Sequence, residues 1–141
     1  MQAKVQWMGP GQMSFVASAD SGHALVMDGA AEIGGQNLGP RPMEMFLMGL
    51  GGCSSIDVVL ILQKSRQDVQ GCAVEIRAER AEIDPKVFTS IHLHFTVTGR
   101  DLDPKRVDHA IRLSAEKYCS ASIMLGKTAT ITHDFEIRPP D

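Results

Sequence analysis

Hydrophobic and polar positions change period along the chain, and each change marks a predicted element. Lys4 to Trp7 is a short strand, and Gly9-Pro10-Gly11-Gln12 supplies the turn chemistry that ends it. Met13 to Ser18 and His23 to Met27 form two more strands, separated by a turn at Asp20-Ser21-Gly22. From Asp28 to Arg41 the chain is rich in Gly and Ala and shows no period, so it reads as a loop whose glycines favour mobility. Pro42 then opens a helix, a position its fixed φ suits, and Glu44 complements the positive end of the helix dipole. This helix is expected to run to about Gln67, roughly 37 Å. It is apolar on nearly every side up to Leu62, so no face of it can be left in water.

Alternation returns from Cys72 to Ala81, with Val74, Ile76 and Ala78 on one face and Glu75, Arg77 and Glu79 on the other. Phe88 to Gly99 alternates too: Ile91, Leu93, Phe95 and Val97 point inward, and His92, His94, Thr96 and Thr98 outward. Asp103 before Pro104 starts a helix whose buried stripe is Val107, Ala110, Ile111, Ser114 and Tyr118. A second short helix follows from Tyr118 to Leu125, ending at Gly126, and Ala129 to Ile137 is the last strand. The order βββ-α-ββ-αα-β, without an internal repeat or a linker, is that of one α+β domain over residues 1–141.

Composition narrows the function. Hydrophobic residues make up 43% and charged residues 22%, which is ordinary for a folded domain. A net charge of −3 without a basic cluster argues against nucleic acid. Met43 to Leu62 has the length of a bilayer span, but Glu44, Asp57 and the Gly/Ser run from Gly49 to Ser55 favour a helix buried in protein over a membrane partner. A second subunit would supply the cover, and the small residues at 49, 51, 52, 54 and 55 would let two backbones approach closely. An odd count of three cysteines, with no zinc-like spacing and no leader-like N-terminus, fits free thiols in the cytoplasm.

Cys53 and Cys119 are the candidate chemical groups, against the plainer reading that both are small buried hydrophobes. Cys119 falls in the first turn of a helix with Lys117 nearby, a setting that stabilises a thiolate. Cys53 lies beyond the reach of its own helix dipole, and Asp57 one turn later would raise its pKa. Its activating cation must come from elsewhere, with Arg41, Arg66 and Arg100 as the candidates. Cys72 reads as structural. His92 and His94 share a strand face at a spacing that can serve a metal, but without a third ligand they read as a solvated face.

The run Pro42-Met43-Glu44-Met45-Phe46-Leu47-Met48-Gly49-Leu50-Gly51-Gly52-Cys53-Ser54-Ser55-Ile56-Asp57-Val58 resembles the central-helix signature of the OsmC/Ohr superfamily. Glu116-Lys117-Tyr118-Cys119-Ser120 resembles the segment around that superfamily's second cysteine, and the Gly-Gly-Cys-Ser-x-Ile-Asp form is most similar to its YhfA-like branch. The resemblance implies an intertwined homodimer with two sheets around paired central helices. It also implies a thiol peroxidase in which Cys53 attacks a small apolar hydroperoxide, Cys119 resolves the sulfenic acid as a disulfide, and a dithiol restores both. Glu44 is the candidate for the family's catalytic glutamate, and no metal or organic cofactor is implied. Two positions depart from the family pattern: no arginine precedes Arg41, and Met43 fills the glutamate slot, with Glu44 half a helical turn out of phase with Cys53. A non-enzymatic dimer that binds an apolar small molecule or a redox partner is the alternative.

Overall fold

The computed structural model describes residues 1–141 and divides them into two compact units, Met1–Met48 and Gly49–Asp141. The first holds β1 (Ala3–Trp7), β2 (Ser14–Ala19) and β3 (Ala24–Asp28), an antiparallel sheet in the order β1-β2-β3. Gly9 and Gly11 adopt positive φ, which is why the turn between β1 and β2 is written in glycine. The segment after β3 is tied rather than loose. It contains a single 3₁₀ turn, Ala31–Ile33, and the buried carboxylate of Asp28 accepts from the backbone N–H groups of Gly29, Gln36 and Leu38 at 2.8, 3.0 and 3.1 Å. Its glycines serve close packing: a Cβ on Gly35 would lie 1.8 Å from the Gly29 carbonyl oxygen, and one on Gly39 would lie 2.2 Å from that of Val26.

Helix α1 (Pro42–Lys64) begins in the first unit and continues into the second. It stops three residues short of the expected Gln67. Arg66 takes a left-handed conformation at φ 59°, and the N–H of Gln67 bonds back to the Leu62 carbonyl, closing the last turn as a Schellman cap does.

In the second unit β4 (Asp68–Arg80), β5 (Phe88–Arg100) and β6 (Thr130–Arg138) form a sheet in that order, β4 antiparallel and β6 parallel to β5. β4 starts four residues earlier than its alternation predicts, because Gln70-Gly71, which reads as a break, is a bulge in a continuous ladder. Ile91, Leu93, Phe95 and Val97 are buried as expected, and Leu50, Val58 and Leu62 of α1 are buried with them. Gly51 lets the helix come close to the sheet, since a Cβ there would meet Ile76 at 3.0 Å and Val74 at 3.2 Å. Helix α2 (Pro104–Leu113) is capped by Asp103, whose carboxylate accepts from the Lys105 N–H, and it buries Val107, Ala110 and Ile111.

The predicted stripe on α2 fails at its end. A π-helical turn, Ser114–Tyr118, follows α2 and shifts the phase, so Ser114 is buried while Tyr118 is 52% exposed. Helix α3 (Ser120–Leu125) follows with Cys119 as its N-cap.

Three backbone donors, led by Leu38 and then Gln36, hold the Asp28 carboxyl below its ordinary value, with the Arg41 guanidinium adding to the effect. A depressed folded-state pKa contributes stability above the unfolded value of about 3.9 and loses it as pH falls through the folded value. Thermal melts from pH 6 down to pH 2 should therefore show Asp28→Asn less stable than the parent at pH 6, with the gap closing in acid.

Candidate functional site

Cys53 and Cys119 meet in the second unit, where the middle of α1 faces the start of α3. Cys119 is fully buried and Cys53 partly exposed, and the two thiols act on each other's titration, Cys53 lowering Cys119 and Cys119 raising Cys53. Two further donors converge on Cys119: Ser54 Oγ at 3.4 Å and the Ser122 N–H at 3.3 Å. The sulfur thus takes the place of the hydroxyl or carboxylate that usually caps a helix. The Ala121 amide favours the ionised form of Cys53, so the first turn of α3 acts on both sulfurs. Ser114 Oγ lies 3.0 Å from Asp57 Oδ2 and 3.4 Å from the Ser54 carbonyl, joining the π-helical turn to α1 one turn beyond Cys53.

These contacts set the charge on the pair. Burial raises the Cys119 thiol, but Ser122, Ser54 and Cys53 all favour its ionised form and bring it below the ordinary cysteine value. Burial also raises Cys53. The Ala121 amide opposes that, while the interaction with Cys119 and the negative charge of Asp57 add to it, and Cys53 ends above the ordinary value. Within the pair, ionisation therefore favours Cys119 over Cys53.

No cation is among the causes that shift either sulfur. Lys117 lies over the ring of Tyr118, 5.2 Å from its centroid. Arg41 donates to the Gly39 carbonyl and the Asn37 side chain, Arg66 is the left-handed residue at the end of α1, and Arg100 ends β5 opposite Asp68 in the ladder. Glu44 sits in the first turn of α1, where its carboxylate accepts from the Arg41 N–H at 3.3 Å, a capping contact. Cys72 is raised by burial and accepts a hydrogen bond from Ser55, which fits a structural thiol.

Ser54 and Ser122 are the site residues that the sequence reading missed. A serine directly after Cys53 on an apolar helix, and another three residues after Cys119 at the N-cap contact position, were the available signals. The histidines are likewise explained by the fold. Parallel pairing of β5 with β6 places Asp134 Oδ1 at 2.6 Å from His94 Nδ1 and 3.2 Å from His92 Nε2, with Thr132 Oγ1 at 2.7 Å from His92 Nδ1. The Asp134 carboxylate raises the His94 pKa. A concavity of about 520 Å³ opens over this outer sheet face, lined among others by Glu75, Arg77, His92, His94 and Arg138.

Comparison with known proteins agrees with the geometry. A family model described as OsmC-like protein matches residues 34–134. The chain is 51% identical over 137 residues to Protein YhfA of Escherichia coli K12, covering 97% of this chain and 98% of that one. A solved structure of a hypothetical protein from Aquifex aeolicus VF5 superposes with TM-score 0.85 at 25% identity, covering 99% of this chain and 97% of that one. The organic hydroperoxide resistance protein OsmC from Legionella pneumophila superposes with TM-score 0.71 at 15% identity, over 96% and 95% of the two chains, a likeness of fold.

In a Cys72→Ser background, which removes the third thiol, thiolate absorbance followed against pH should rise in two steps, one below and one above the ordinary cysteine value. In Cys119→Ser the remaining Cys53 step should move down from its wild-type position, because the negative neighbour that raises it is gone.

Proposed function

Because the chain belongs to the OsmC-like protein family, we propose that it is a thiol-dependent peroxidase that reduces organic hydroperoxides through a Cys53–Cys119 cycle in an oxidative stress response. The nearness of the two cysteines carries this reading: Ser54, the residue directly after Cys53 on α1, gives its hydroxyl to Cys119 Sγ at 3.4 Å, and the two thiols act on each other's titration. Transfer of the remaining proton of the pair to Cys119 leaves Cys53 as thiolate, a form that the Ala121 amide favours. The thiolate attacks one peroxide oxygen and breaks the O–O bond. Cys53 becomes a sulfenic acid, and the departing alkoxide takes the proton from Cys119 to leave as an alcohol. Cys119 thiolate then attacks the sulfenic sulfur, forming the disulfide and releasing hydroxide, which leaves as water. A dithiol supplies the two electrons that restore both thiols. Glu44 is proposed as an auxiliary carboxylate for this chemistry, on the strength of the family resemblance and its place at the head of the Cys53 helix.

The same reading places the chain in the cytoplasm as one OsmC-like domain that works as an intertwined homodimer. Helix α1 is long and apolar enough to cross a bilayer, and it presents Gly49, Gly52, Ile56 and Leu60 on one exposed stripe, with Ile56 62% exposed. A Cβ at Gly49 or Gly52 would meet nothing within 4 Å in the single chain. Two such stripes packed together would cover the helix without a membrane.

One observation favours a second reading. Cys53 is pushed up by burial first, and the charges acting on it from Cys119 and Asp57 are negative, which suits a non-enzymatic dimer that binds an apolar small molecule or a redox partner.

Cumene hydroperoxide consumption with dihydrolipoamide separates the two. The peroxidase reading expects steady turnover, none with Cys53→Ser, and a single turnover followed by arrest with Cys119→Ser. The oxidation rate should climb about tenfold per pH unit below the lower step of the cysteine pair and level off above it, because the singly ionised pair is the reacting species. Consumption no faster than the free-thiol background would leave the binding reading. For the dimer, Gly52→Leu should shift the sedimentation equilibrium toward monomer, whereas in an isolated chain its helix-favouring side chain would stabilise by roughly 1 kcal/mol.

A further inference from the structure

We propose that Ser54 is a positioning residue that decides the direction of disulfide opening: by holding the Cys119 sulfur it makes Cys119 the leaving group, so that an incoming thiol reductant bonds to Cys53. The inference rests on the Cys53–Cys119 pairing proposed above and assigns the next step of that cycle.

Ser54 is 3% exposed in the middle of a helix. A buried serine hydroxyl needs a partner, and inside a helix the usual one is the carbonyl four residues back. Here the partner is Cys119 Sγ at 3.4 Å, contributed by an element 65 residues away in sequence. The Ser122 N–H at 3.3 Å approaches the same sulfur. Both are donors, and a sulfur that receives two hydrogen bonds is better served as a thiolate than as a thiol. Access reinforces the asymmetry. Cys119 is fully buried, and the void lined by its partners Ser54 and Ser122, with Ser114, Phe95 and His133 among others, measures about 10 Å³. That space takes one water at most and cannot admit a reductant sulfur. Cys53 is the sulfur open to solvent within the subunit.

In the oxidised protein a reductant thiolate therefore attacks Cys53. The Cys53–Cys119 bond breaks, its electron pair goes to Cys119, and the new bond joins Cys53 to the reductant. The second thiol of the same dithiol then attacks the reductant sulfur, forming the dithiol's own disulfide and releasing Cys53 as thiolate, which takes a proton from solvent. A leaving thiolate of lower pKa departs faster, so loss of the Ser54 hydroxyl slows the first of these steps.

The test uses the full chain oxidised with diamide, without hydroperoxide, so failure of the peroxidase reading leaves it intact. Reaction with a monothiol such as 2-mercaptoethanol, quenched with N-ethylmaleimide and mapped by peptide mass spectrometry, should place the mixed disulfide on Cys53 and the maleimide on Cys119. Ser54→Ala should slow opening several-fold at pH 7 and move the lower thiolate step up by about one pH unit, and Ser54→Thr should restore both. A mixed disulfide on Cys119, no diamide disulfide at all, or a Ser54→Ala protein with unchanged rate and titration would each overturn the proposal. Should Ser54→Ala fail to fold, the wild-type adduct position and the Ser54→Thr rate decide it.

Discussion

A helix with apolar groups on every side must be covered, and the arrangement of the second unit follows from how one side of α1 is covered. Leu50, Val58 and Leu62 are its fully buried residues, and Gly51 removes the side chain that would keep the helix away from Val74 and Ile76. Once that face is fixed against the sheet, Cys53 and Ser54 are aimed toward the start of α3. The contacts among Ser54, Ser114, Asp57 and Cys119 then bring α1 and the π-helical turn together through polar groups that all have partners. A buried polar cluster of this kind is costly when incomplete, and here it is complete.

The cluster also sets the chemistry. No cation is needed to ionise Cys119, since hydroxyl and amide donors supply the stabilisation that a lysine or arginine gives other thiolates. Cys53 is raised first by its own burial and then by its interaction with Cys119. Cys53 is half-buried and held above the ordinary value, and Cys119 is buried and held below it. Under the proposed cycle, peroxide meets the first and the second resolves it.

Much of this was legible in the sequence. Alternation along Phe88–Gly99 gave the inward and outward faces of β5 correctly, Asp103-Pro104 gave the start of α2, and Pro42 gave that of α1. The misreadings have specific causes. Gln70-Gly71 read as a break because a bulge and a turn use the same residues. Tyr118 was placed in the core because a π-helical turn moves every later residue off the 3.6 period. The glycines between Asp28 and Arg41 read as loose, yet Gly35 and Gly39 are there because neighbouring carbonyls leave no room for a Cβ. At the site, both cysteines could be named from the family signature, but Ser54, Ser122 and Asp134 could not. Ser54 and Asp134 have their partners on other elements, a property of the assembled fold, and Ser122 acts through its backbone N–H, which no side-chain pattern marks.

Intact-mass analysis of the reduced protein after one equivalent of cumene hydroperoxide tests the paired-sulfur account most directly. The account predicts a product lighter by the mass of two hydrogens, with Cys53 and Cys119 in one cross-linked peptide. A mass raised by one oxygen that persists without cross-linking, or no change at all, would contradict it.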